Sequence, residues 1–265
     1  MARKNSGPKK AKRKSLFEVN RYKDPIGAAI EAFTAGNQKT GEPTSSQLNT
    51  SELEIYVTSD KIEPDIIPVK TLFRTLDEMP AIEKRALLAC RGNLLDIGAA
   101  AGCHAKALQS MQCLDALVAI DTSPKAVKYL KTQGINAFEI NFYQLDHQHQ
   151  HQYDTLLLLM NGLGIAGTLR QLPQFFEKLK FLLKPDGQVL LDSSDFEEDA
   201  EDFAEIRYQM RFQNHKSKHF PWLFLPFDAL HQAAENAGFH AQLLMKETDG
   251  SYLARLKLSD ALPDV

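Results

Sequence analysis

Little in this chain could staple it or anchor it. Three cysteines, Cys90, Cys103 and Cys113, are too few and too odd in number for a disulfide framework, which excludes the small bridge-held scaffolds of secreted proteins. There is no apolar N-terminal signal segment and no run of about 18 apolar residues, so a membrane span is not expected and a reducing cytoplasm is the expected compartment. A large surplus of one charge is also lacking, the formal net charge being -3. What is present is length and apolar material. With 265 residues, 43% of them hydrophobic, the chain has enough for one α/β domain of about 200 residues plus accessory segments, able to enclose a small ligand without a partner subunit. No residue pattern speaks to an oligomeric state.

Charge is unevenly placed. Residues 1–14 carry Arg3, Lys4, Lys9, Lys10, Lys12, Arg13 and Lys14 and no acid, so the tail is basic and the body acidic. Such an arm can contact phosphates without sequence preference, releasing counterions as it does, or it can serve only to keep the chain solvated. One helix is predicted near Asp24 to Phe33, followed by a polar, linker-like stretch over residues 35–52. Residues 1–50 are thus read as a basic arm and linker. Residues 51–92 are read as a helical accessory segment or lid, one helix starting near Asp65 and a second after Pro80 with Ile82, Ala86, Leu87 and Leu88 on its apolar side.

The densest signal is Leu94 to His104, LLDIGAAAGCH. Leu94, Leu95 and Ile97 read as a buried strand, Gly98 to Gly102 as a turn of small residues, and Cys103 as the start of a helix, which is how an α/β sheet builds a nucleotide pocket. Gly98 and Gly102 can take conformations closed to larger residues, and the free amides of the next helix point back at whatever the turn wraps. One strand–helix–strand unit later, Leu117 to Ile120 ends in Asp121, whose carboxylate can accept hydrogen bonds from the two hydroxyls of a ribose. The GxGxxG fingerprint that brings a backbone against a pyrophosphate is missing, because Ala100 and Cys103 stand at its second and third glycine places. A nicotinamide-dependent oxidoreductase is therefore disfavoured.

The alternative pattern, an acidic residue followed by GxGxG, is met by Asp96, Gly98 and Gly102, with Ala100 as its one departure. This stretch resembles motif I of the class I S-adenosylmethionine-dependent methyltransferases, and the resemblance extends over about residues 80 to 258. It implies a Rossmann-like three-layer sandwich. The expected sheet is mostly parallel and seven-stranded with a late antiparallel strand, accompanied by N-terminal helices and an inserted β-hairpin. It implies S-adenosyl-L-methionine as cofactor, held by Asp96, Gly98, Ala100, Gly102, Asp121, Thr122, Asn141, Phe142 and Met160. Asn141 stands where the family usually has an acid beside the adenine, and an amide can still accept or donate at that edge. The cofactor domain is expected over residues 93–260.

The remaining elements follow in the order this fold requires. Pro124 to Gln133 is predicted helical, Ile135 to Ile140 a third strand, Tyr153 to Met160 a central strand built on Leu156 to Leu159, and Leu169 to Leu183 a helix. Lys184 to Gly187 reads as a turn before a fifth strand, Gln188 to Leu191, that ends in Asp192, Ser193, Ser194 and Asp195. Ligands in open α/β sheets lie beyond the carboxyl ends of the strands. Asn161 is the first candidate to orient a methyl acceptor, and Asp192 is the second catalytic candidate. Asp195 and His219 are further possible bases, and no base is required. An insertion near residues 204–226 is predicted to form a hairpin carrying Phe220, Trp222 and Phe224, either covering the pocket or bracing the sheet. Arg74, His219 and Trp222 are the substrate-binding candidates, Arg74 serving the cofactor's methionine carboxylate or an anionic substrate. A helix from Phe227 to Ala237 and strands His240 to Lys246 and Tyr252 to Lys257 close the chain.

His147, His149 and His151 alternate with glutamine in what reads as a solvated loop, and no metal site is expected. Cys103 and His104 read as a small packing residue and its neighbour at a helix start. The activity these features imply is methyl transfer to an oxygen or nitrogen nucleophile, with a small-molecule acceptor favoured. The alternative is a non-enzymatic nucleotide-binding module whose basic arm contacts RNA.

Overall fold

A computed structural model describes residues 24–37, 53–195 and 205–259. The basic arm and most of the predicted linker lie outside the described residues. No described helix is long and apolar enough to cross a membrane.

The principal layer is a seven-stranded sheet in the order β11-β12-β7-β6-β3-β4-β5. Its parallel strands are β3 (Gly92–Ile97), β4 (Leu114–Asp121), β5 (Ala137–Glu139), β6 (Tyr153–Leu158) and β7 (Leu183–Ser194). Strand β12 (Ser251–Leu258) runs antiparallel to both β7 and β11 (Phe239–Lys246). Leu156, Leu157 and Leu158 of β6 are wholly buried, as a central strand covered on both faces requires, each stabilising the fold by about 1.5–3 kcal/mol. Helices α2 (Ala81–Ala89), α3 (Cys103–Met111), α4 (Pro124–Thr132), α5 (Leu172–Leu182) and α6 (Phe227–Asn236) flank the sheet. Helix α4 starts where it does because the Ser123 hydroxyl caps the Ala126 amide and Pro124 occupies the first turn, where its missing N–H is no loss.

Several predicted boundaries move for local reasons. Pro173 sets the start of α5 at Leu172, leaving Leu169–Gln171 as a 3-10 turn. Strand β5 is shorter than predicted and lies at the sheet edge. The turn expected at Lys184 to Gly187 is an irregularity within β7, where the register jumps from Tyr153↔Leu183 to Thr155↔Gln188. Strand β6 stops at Leu158 because Met160 and Asn161 both turn left-handed, at φ 66° and 58°.

The helix predicted from Asp65 is not formed. Prolines 64 and 68 flank Ile66 and Ile67, and this β-branched pair makes strand β2 (Asp65–Pro68), followed by 3-10 turns at Val69–Phe73 and Leu76–Glu78. It pairs with β1 (Glu54–Thr58), whose alternating Ile55 and Val57 are buried. Helix α2 forms as predicted, but Leu88 is 70% exposed, since Ile82 with Ala86 and Glu83 with Leu87 already make its inward face.

The inserted hairpin forms as β8 (Glu205–Phe212) and β10 (Phe220–Leu223), with the short β9 (His215–Lys216) paired to β8. It is not a free flap. Strand β8 also pairs with β1, Tyr56 opposite Arg211, so the hairpin and the N-terminal strands form one antiparallel sheet in the order β10-β8-β1-β2. Helix α1 (Pro25–Asn37) packs with this accessory sheet. Ala28, Ala29 and Ile30 share a buried cluster with Ile55, Val57, Phe212 and Ala101 of the motif I turn, and Ala100, Met160, Tyr208 and Met210 pack against its edge. The second sheet thus sits directly over the turn that follows β3.

Candidate active site

The turn after β3 holds three left-handed residues, Gly98 (φ 79°), Ala100 (φ 47°) and Gly102 (φ 75°). Ala100 keeps the backbone shape of the glycine it replaces, at a strain of about 1 kcal/mol. Its conformation is held by its own amide, which donates to Asp121 Oδ2 at 2.9 Å. A Cβ on Gly102 would run into Leu130, so that glycine serves close packing, whereas one on Gly98 would stand 3.5 Å from Ile165 Cδ1. The tips of β3 and β6 therefore face each other across Gly98.

Asp121 is the hinge between this turn and α4. Its Oδ1 accepts the Ser123 amide at 2.8 Å, and each carboxylate oxygen retains a lone pair for a ribose hydroxyl. Ser123 Oγ donates to Asp24 Oδ2 at 2.5 Å, while Asp24 Oδ1 caps the Gly27 amide of α1 at 2.7 Å, so the start of α1 is tied to the turn that follows Asp121. Burial, reinforced by the Asp24 carboxylate, pushes Asp121 above its ordinary value against the hydrogen bonds from Ser123 and Ala100. Thr122 lies exposed beside it. Asn141 follows β5, whose neighbour Ile140 donates to the Asp121 carbonyl, and the Asn141 side chain caps the Tyr143 amide at 2.9 Å. The Phe142 ring is buried against Phe175.

At the tip of β6, both oxygens of Asp192 are occupied: Oδ2 accepts the Met160 amide at 3.1 Å and Oδ1 the Gly162 amide at 2.9 Å. They brace the two left-handed residues between them. Burial raises Asp192 to about 6, with the neighbouring Glu83 charge adding to it. Asn161 Oδ1 accepts the Ser194 hydroxyl at 2.9 Å, which turns its amide N–H2 outward as a donor. Asp195 is ion-paired with Lys246 at 2.8 Å.

Asp96 and Arg74 belong to one buried polar cluster. Arg74 Nη2 lies 2.8 Å from both oxygens of Glu83, and Glu83 Oε2 lies 2.8 Å from His104 Nε2 in the first turn of α3. Burial opposes charge on His104, but its hydrogen bonds with Cys103 and Glu83 and the Asp96 carboxylate raise it to about 10. Burial raises Asp96 to about 6, partly offset by His104. Two buried atoms of the cluster, Asp96 Oδ2 and Arg74 Nε, have no protein partner.

The accessory sheet packs on the turns that follow β3 and β6. A Cβ on Gly164 would overlap the Trp222 indole, so Trp222 lies flat against the turn after β6. Phe220 meets Trp222 edge-on at 6.0 Å, and Tyr208 packs between Phe220 and Phe224. His219 is exposed before β10. His149 pairs with Asp146, and His151 Nδ1 meets the Leu183 carbonyl at 2.6 Å, so these two histidines are engaged near the opposite ends of the strands.

The structure thus brings together Asp96, Gly98, Ala100, Gly102 and Asp121, and places Met160, Asn161 and Asp192 at the neighbouring tip of β6, with Met160 packed against the same cluster as Ala100. Sequence reasoning missed Glu83, Asp24, Ser194 and Tyr208. Glu83 could have been found as the one charge on the inward face of α2.

Residues 70–243 match the family described as the methyltransferase domain. A SAM-dependent methyltransferase from Bacteroides fragilis, solved with S-adenosyl-L-homocysteine, is 36% identical over 90% of this chain and 96% of its own, with a TM-score of 0.75. The PH0226 protein from Pyrococcus horikoshii OT3 (15% identity, 72% of this chain and 98% of that one, TM-score 0.52) and the CcbJ methyltransferase from Streptomyces caelestis (15%, 70% and 95%, TM-score 0.50) share the fold. No curated protein matches the chain. The chain belongs to the class I S-adenosylmethionine-dependent methyltransferases. It is an enzyme, with S-adenosyl-L-methionine as its cofactor, and the non-enzymatic reading is set aside. The residues fit that group: the motif I turn leaves Gly98 uncovered by a side chain of its own, Asp121 can take the ribose, and the orphaned Asp96 Oδ2 and Arg74 Nε offer an acceptor and a donor to a zwitterionic amino-acid end.

Proposed function

We propose that the enzyme methylates an oxygen or nitrogen of a small, largely apolar acceptor held between the β6 tip and the inner face of the accessory sheet. The observation that carries this reading is the Trp222 indole packed on Gly164, whose amide donates to the Asn161 carbonyl. Tyr208 and Met210 alternate onto the inner face of β8 and pack near Met160, whereas the neighbouring Arg207 and Arg211 are exposed and Arg211 covers Tyr56 at 5.0 Å. An uncharged aromatic wall favours a flat, uncharged acceptor over a phosphate backbone.

S-adenosylmethionine, when bound, supplies a methyl group already activated on a sulfonium. The protein's task is then orientation, which can lower a barrier by up to roughly 7–11 kcal/mol. In this reading Asp121 holds the ribose, Asn141 and the Phe142 backbone meet the adenine edge, and Gly98 and Met160 flank the reacting end. Arg74 takes the methionine carboxylate and Asp96 the ammonium. Asn161, aimed by Ser194, orients the acceptor, and Asp192 acts as a positioning residue that fixes the strained Met160–Asn161 turn. His219 stands at the rim. The free thiols of Cys90, Cys103 and Cys113 suit a reducing cytoplasm as the place of action.

Incubating the full chain with tritiated-methyl cofactor and size-separated cell extract tests the acceptor class. Label is expected in the small-molecule fraction. Label confined to RNA would overturn this assignment and would turn attention to residues 1–14, and label confined to protein would overturn it as well.

A further inference from the structure

We infer that Glu83 and His104 are positioning residues whose joint task is to aim Arg74 at the amino-acid end of the cofactor. This inference rests on the reading of Arg74 given above and adds to it the machinery that makes Arg74 usable.

Arg74 lies in the link between two 3-10 turns, where no helix or strand fixes its direction. A long arginine side chain in such a link loses considerable rotamer freedom on binding unless something already holds it. Glu83 is that holder. Its carboxylate is 5% exposed, and a carboxylate so buried is tolerated only when paired and hydrogen-bonded. It has two partners, Arg74 on one side and His104 on the other, both at 2.8 Å. His104 follows Gly102 within two residues, so this three-membered chain runs from the segment before α2 to the helix that the cofactor turn initiates.

The geometry of the Arg74 contact matters most. Only Nη2 meets Glu83, where it touches both oxygens, so the Nε–H of the guanidinium is not consumed. That Nε is buried and without a partner, and its N–H can donate a charge-assisted hydrogen bond to a second carboxylate. The other orphan, Asp96 Oδ2, is an acceptor, and Asp96 and His104 lie close enough to influence each other's charge. One carboxylate, Glu83, is shared between Arg74 and His104, and Asp192 also lies within electrostatic reach of Glu83 and His104; the orphaned Arg74 Nε is the donor left for an anionic group, and Asp96 Oδ2 the acceptor left for a cationic one. A free α-amino acid moiety carries both.

The test compares two nucleosides that differ in that moiety: S-adenosylhomocysteine, which has it, and 5′-methylthioadenosine, which lacks it. Affinities are measured by titration calorimetry on the full chain, wild type and Glu83→Gln, with folding checked by circular dichroism. Glu83→Gln is expected to weaken S-adenosylhomocysteine at least tenfold while changing methylthioadenosine less than twofold. Equal losses for both nucleosides would make Glu83 a general structural support and overturn the inference, as would no loss for either. Arg74→Gln separates the two levels. If it leaves the ratio of the two affinities at the wild-type value, the reading of Arg74 itself fails; if it shifts the ratio and Glu83→Gln does not, only the positioning role fails. Should Glu83→Gln not fold, His104→Gln is read by the same ratio, with the same outcomes deciding.

Discussion

In the proposed reading, the cofactor side and the acceptor side of the site are built in opposite ways. Asp96, the small-residue turn, Asp121 and Asn141 come from one run of strand–helix–strand units, each element adjacent in space to the next in sequence. The acceptor side gathers β1 and β2, the tip of β6, the end of β7 and the β8–β10 hairpin, which are separated along most of the chain. The first side is specified by local residue choice and is held rigid by the main sheet. The second is specified by pairing between distant strands, so it can vary in lining without disturbing the cofactor. That division lets one fold keep one methyl donor while changing what receives the methyl group.

Three experiments sharpen or break this division, beginning with the largest effect. Asp121→Ala removes charge-assisted bonds to the ribose and the link to Ala100, and is expected to cost about 2–3 kcal/mol of S-adenosylhomocysteine affinity, roughly a hundredfold. Calorimetry reads it directly, and an affinity within threefold of wild type would remove Asp121 from the cofactor side. Trp222→Ala should lower kcat/KM for the labelled acceptor about tenfold through lost contact area while leaving S-adenosylhomocysteine affinity within twofold. If both fall together, the two sides are not separable.

The smallest effect is on stability and concerns Asp192, where the two sides meet. Burial raises its folded value from 3.8 to about 6, so the folded chain holds this proton more tightly than the unfolded one. The stability tied to it is complete below about pH 4 and is lost as pH rises through about 6. Asn at this position does not titrate. The melting temperature of wild type relative to Asp192→Asn should therefore rise by a few degrees, about 3 °C or more, between pH 7.5 and pH 4.5. A gap that stays constant with pH would show that Asp192 keeps an ordinary carboxylate value.

The same division explains what the sequence disclosed. The β3 turn and Asp121 were legible because their chemistry is compressed into a few adjacent positions, and even the Ala100 departure is absorbed locally by a left-handed backbone. The late antiparallel strand was legible from the family resemblance together with the closing strands, His240 to Lys246 and Tyr252 to Lys257. The pairing of β1 with β8 was not, since nothing near Tyr56 announces Arg211, and the isoleucines of β2 were taken into a helix that their flanking prolines forbid. Glu83 was overlooked because a glutamate on a short helix ordinarily faces water. Asp192 was visible as a polar residue at a strand tip, but its occupation by the Met160 and Gly162 amides depends on a double left-handed turn that apolar patterning does not encode.

The union of β1 with β8 also has a consequence for how the enzyme is born. A chain emerging from the ribosome presents residues 54–58 long before 205–212 exist, so β1 must wait, the edge it offers to β8 unpaired, until residues 205–212 have been made. The motif I turn is complete early, yet the layer that covers it waits for residues 205–223.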